Sequence, residues 1–101
     1  MHIYHVVPSP DWEAWRERSF YEAASIADEG FIHCSFANQL DDVIGRYFRN
    51  EPELVVLTID TDKLTSKLIA EPSTGGELYP HVYGPINADS IVDIRTRSNV
   101  A

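Results

Sequence analysis

The run Leu54–Ile59 (LVVLTI) constrains the fold more than any other stretch of the chain. It is too short for a buried helix and rich in β-branched side chains, so it reads as a strand. With few polar positions, it lacks the alternation of a strand wetted on one side, and both of its faces are expected to be buried. The clearest helix lies just before it. Phe36, Leu40, Val43, Ile44, Tyr47 and Phe48 recur at spacings of three and four, which puts them on one apolar stripe. Ser35 is placed to cap that helix, Asp41 and Asp42 stand towards its positive end, and Arg46 and Arg49 sit in its last turns. Asn50-Glu51-Pro52 stops it.

The remaining elements follow from shorter signals. HIYHVV (His2 to Val7) reads as a strand ending at Pro8. Ser9-Pro10-Asp11 supplies an N-cap, a first-turn proline and a first-turn acid for a short helix carrying Trp12 and Trp15. Tyr21 to Asp28 reads as a second short helix ending before Gly30, and Phe31 to Cys34 as a strand. Lys67 to Ala70 and Leu78 to Tyr83 are extended segments on either side of a Pro72–Gly76 loop, and Ile91 to Ile94 is a last strand before a frayed tail. The order β-α-α-β-α-β-β-β-β carries too many late strands for a doubly wound sheet. It predicts one α+β domain over residues 1–101, with a mixed or antiparallel sheet core and packed helices.

Composition narrows the partners. The formal charge is −8, and the eight Lys and Arg are scattered rather than clustered, which argues against nucleic acid and anionic membrane surfaces. No apolar run approaches the ~18 residues of a membrane span, and the amino terminus lacks the layout of a signal peptide. A lone cysteine, Cys34, fits a reducing compartment. Cytoplasm is the expected location.

The chemistry concentrates in GFIHCS (Gly30 to Ser35). On a strand, Phe31, His33 and Ser35 share one face while Ile32 and Cys34 share the other. If Ile32 and Cys34 face the core, His33 and Ser35 belong together. His5 in the first strand, and Glu77 and His81 behind the Gly75-Gly76 loop, are further candidates, because pockets form at strand ends and the loops after them. Each has a plainer reading: a hydrogen-bonded packing histidine, a helix-capping serine, a buried cysteine. A metal site would need His5, His33, His81 and Glu77 to converge without any paired-ligand spacing. Cys34 as a nucleophile would need a base other than His33, its neighbour on the opposite face. The two glycines match neither a dinucleotide fingerprint nor a P-loop.

The segments IYHVV, DWEAW, EGFIHCS, LVVLTID and GGELYPHVYGPI, in this order from Ile3 to about Ile94, resemble the bacterial domain-of-unknown-function family 952 (DUF952). That resemblance implies a fold like the ADP-ribosylation (ADP-ribosyltransferase-like) superfamily, in which two small sheets form a cleft for NAD or an ADP-ribose end. It further implies His5 and Ser35 as ligand-binding residues, with Tyr83 as an aromatic wall, and His33, Glu77 and His81 as catalytic candidates. NAD is then expected as a substrate rather than a resident cofactor. The chain departs from the transferase pattern in carrying His-Cys where those enzymes carry Ser-Thr, and in having no E-x-E pair before its last strands. A non-catalytic binding module with structural histidines is the alternative.

Overall fold

A computed structural model describes residues 1–99. These residues make eight strands and three short α-helices: β1 (His2–Pro8), α1 (Ser9–Glu13), β2 (Phe20–Tyr21), α2 (Ser25–Glu29), β3 (Ile32–His33), α3 (Leu40–Tyr47), β4 (Glu53–Asp60), β5 (Lys67–Pro72), β6 (Leu78–Tyr83), β7 (Ile86–Asn87) and β8 (Ile91–Ser98). Every pairing is antiparallel. The strands form three small sheets, ordered β1-β4-β8, β2-β7 and β3-β6-β5. The expected α+β class holds, with three sheets among the described residues where the family resemblance implied two.

β4 is the centre of its sheet, and its two faces feed two cores. Val55, Leu57 and Ile59 pack with Ile3, Val7, Trp12, Tyr21, Ile32, Cys34, Val82 and Ile86. Leu54 and Val56 pack with Val6 and Ile44, flanked by Tyr4, Leu40 and Phe48. This is why the LVVLTI run lacks alternation. Each fully buried aliphatic side chain contributes about 1.5–3 kcal/mol relative to an exposed one, so β4 anchors the domain.

Four local expectations are corrected. Ser35 does not cap a helix: its backbone N–H and C=O are exchanged with Tyr4 at 2.7 and 2.9 Å, which extends β3 towards β1. Phe36 occupies the cap position of a 3-10 turn that leads into α3, and the Gln39 side chain accepts its N–H at 2.9 Å. α1 begins one residue early, at Ser9, without a side-chain cap. The segment read as a helix from Tyr21 holds a strand, β2, whose partner β7 had no sequence signal, and α2 starts only at Ser25. Gly30 closes α2 with φ +84, a left-handed geometry that glycine adopts without strain, and this turns the chain into β3. The tail after Ile94 continues as β8 to Ser98, paired with β4.

Candidate functional site

A cleft of about 550 Å³ opens between β1, α2, β3 and the end of α3. His5, Tyr21, Glu29, His33, Cys34, Ser35, Tyr47, Phe48, Ser73 and Tyr79 are among its lining residues. The sequence-level grouping of His5, His33 and Ser35 is therefore a grouping in space.

His5 shares the inward face of β1 with Ile3 and Val7, and is itself buried. Its Nδ1 lies 2.7 Å from the His33 carbonyl oxygen, so that nitrogen carries the proton. Its Nε2, 2.9 Å from the Tyr21 hydroxyl, then accepts from it. Both ring nitrogens are thus committed within the protein. Burial holds the imidazole neutral, with its pKa lowered to about 4, and burial pushes the Tyr21 hydroxyl well up from its ordinary value.

His33 is different. As the β3 alternation requires, Ile32 and Cys34 turn into the core while the His33 side chain is 48% exposed. Its Nε2 lies 2.5 Å from Glu29 Oε2, across the Gly30 turn. Glu29 was not a candidate in the sequence, yet it is the group that aims His33 at the cleft rim. Cys34 is buried, and burial alone pushes its thiol far above the range in which a thiolate forms at neutral pH. A thiol nucleophile there is therefore badly disfavoured. Ser35 is buried at the cleft wall.

The other three candidates lie outside the cleft lining. Glu77 accepts from Gln39 Nε2 at 2.9 Å, and Gln39 also donates to the Leu78 carbonyl at 2.8 Å, so the pair ties the start of β6 to the base of α3. His81 pairs in register with His33 on the same sheet face, ring centroids 5.3 Å apart, but is buried beneath Phe31, which stacks on it at 4.1 Å. His81 Nδ1 donates to Glu71 Oε1 at 2.9 Å, and Tyr83 donates to the same oxygen at 2.5 Å. These bonds, Tyr83 first and His81 second, draw the Glu71 pKa below the usual carboxylate range. His81 Nε2 is buried and has no hydrogen-bond partner among the described residues. The sequence missed Glu71 because it meets His81 only through the β5–β6 pairing.

The electrostatics of the cleft are one-sided. Asp11 and Glu29 line it, and no lysine or arginine does among the described residues. No group of residues suited to holding a metal ion occurs among the described residues, and no described helix is long and apolar enough to cross a membrane.

Protein CC0527 from Caulobacter crescentus has a similar structure. Its crystal structure matches with a TM-score of 0.83 at 28% identity, covering 97% of this chain and 85% of that one. A double-mutant form of it gives 0.82 at 27% identity over the same shares. Its solution structure gives 0.76 at 28% identity, over 96% and 83%. No curated protein matches the chain. The model of the family described as "Protein of unknown function (DUF952)" matches residues 6–94, nearly the whole length, and the chain belongs to that family.

Proposed function

We propose that the cleft binds a small nucleoside-like ligand, with the His33–Glu29 pair at its rim as the group that engages and exchanges protons with it. The observation carrying this reading is the contrast in hydrogen bonding: His33 presents a half-exposed ring to a cleft of ligand size, while the other cleft histidine has no free nitrogen. Tyr79, Tyr47 and Phe48 supply aromatic surface for a planar base.

The ADP-ribosylation-like fold that the family resemblance implies suggests NAD-derived compounds as the ligand class. The lining refines that choice. With two carboxylates and no cationic side chain, it favours a neutral or positively charged heterocycle, such as a nicotinamide riboside end, over a diphosphate. His5 and Tyr21 act as framework for the site, and Glu77, His81 and Tyr83 are not assigned to the ligand.

Amide NMR titration with nicotinamide riboside, NAD and ADP-ribose tests this. Shifts clustered at residues 5, 21, 29, 33–35 and 79 are expected, with the phosphate-free compound binding at least as tightly as the two diphosphates. Silence at millimolar concentration of all three overturns the ligand class. Tighter binding of ADP-ribose than of nicotinamide riboside overturns the charge argument.

The rival reading, a non-catalytic module with structural histidines, is favoured by His5 and His81 alone, since both are buried and bonded inside the protein. It has no use for the exposed His33 ring.

A further inference from the structure

β8 runs eight residues along the open edge of the β1-β4-β8 sheet, bonded only to β4 among the described residues. Every position from Val92 to Ser98 is exposed, including the aliphatic side chains of Val92 and Ile94 at 42% and 52%. Ile94 adjoins a shallow groove with Trp15 and Phe20, and Phe20 is itself exposed. An edge of this length turns alternate backbone N–H and C=O groups to solvent and invites another strand unless something blocks it.

Charged residues on the edge, Asp93 and Arg95, are one such block, but their order makes the edge complementary to itself. We propose that two copies of the chain associate through β8, antiparallel, about a two-fold axis normal to the sheet at Ile94. Such an axis brings residues of the same sheet face opposite each other. Centred on Asp93 it would oppose Asp93 to Asp93, and centred on Arg95 it would oppose Arg95 to Arg95. Centred on Ile94, it sets Ile94 against Ile94 and Asp93 against Arg95 on both sides of the axis, clear of the irregularity in the β4–β8 pairing at Val92.

Within one chain Arg95 already donates to Asp93 at 2.8 Å. The pairing extends this into an alternating square of two acids and two bases, in which opposite charges face across the strands. Arg97 keeps its bond to Asp41 at 2.9 Å. The exposed Ile94 side chains meet at the axis, and outward backbone groups of both copies pair by strand addition.

Light scattering and sedimentation of four proteins test the proposal: the native chain, Asp93→Arg, Arg95→Asp, and the double exchange. The native chain is expected at twice its 11.4 kDa mass. Each single variant should be monomeric at the same concentration, and the double exchange should return to a dimer. All the substituted positions are exposed, and circular dichroism checks that each variant is folded. Should a variant fail to fold, hydrogen exchange on the native chain decides: alternate β8 amides facing outward should be protected in a concentration-dependent way. A native chain that stays monomeric at millimolar concentration overturns the proposal. A dimer that survives both single substitutions, or a folded double variant that stays monomeric, overturns the register.

Discussion

At the inner wall of the cleft His5 is buried, holding the His33 carbonyl on one ring nitrogen and the Tyr21 hydroxyl on the other. At the rim, the ring of His33 stands half in solvent against Glu29. The two histidines touch the same cleft and are joined by a 2.7 Å bond from the ring of one to the backbone of the other. The difference between them is set by hydrogen-bond accounting: a buried imidazole with both nitrogens used is part of the scaffold, whereas an exposed one with a single carboxylate partner is available to a ligand. His81, one sheet position across from His33, is buried like His5 but has a ring nitrogen with no hydrogen-bond partner among the described residues.

The largest effect that would break this contrast falls on His5. His5→Ala removes two hydrogen bonds and strands the His33 carbonyl and the Tyr21 hydroxyl in the core, with an expected cost of about 3 kcal/mol. Urea unfolding measures it, and a change under about 0.5 kcal/mol would show that His5 is not framework.

The same residue gives a pH signature. His5 titrates near 4 when folded and near its ordinary 6.5 when unfolded, so between those values the unfolded chain binds a proton that the folded chain refuses. Its contribution is complete above pH 6.5 and is lost as pH falls towards 4, by about 3 kcal/mol in all. Comparing the native chain with His5→Ala across that window isolates it. The slope should be shallower in the variant.

The smallest effect belongs to His33. His33→Ala removes the exposed His33–Glu29 hydrogen bond and ring-edge contacts, so its stability cost should stay below about 1 kcal/mol. Its ligand-induced shifts should nevertheless disappear. A variant that unfolds instead would move His33 into the scaffold with His5.

Much of this arrangement was legible in local pattern. The Ile32/Cys34 against His33 alternation needed only strand geometry, and the double burial of β4 only its missing polar positions. What escaped the sequence depends on long-range register. Glu71 reaches His81 through the β5–β6 pairing, and Tyr21 reaches His5 from a two-residue strand too short to show a period. Glu29 reaches His33 because Gly30 folds the chain back on itself. Ser35 failed as a helix cap because its backbone was already taken by Tyr4, which left Gln39 to satisfy the Phe36 N–H from inside the turn. β8 was cut short at Ile94 because alternating Asp93, Arg95 and Arg97 look like a solvated tail until β4 is placed beside them.

Long-range imidazole ¹⁵N spectra of the native chain, recorded with and without nicotinamide riboside, test the division of labour most directly. His5 should remain the Nδ1–H tautomer, neutral and unmoved by the ligand, while the His33 ring resonances shift on binding. A His5 ring that changes tautomer or protonation on binding, beside a His33 ring that does not respond, would contradict the account.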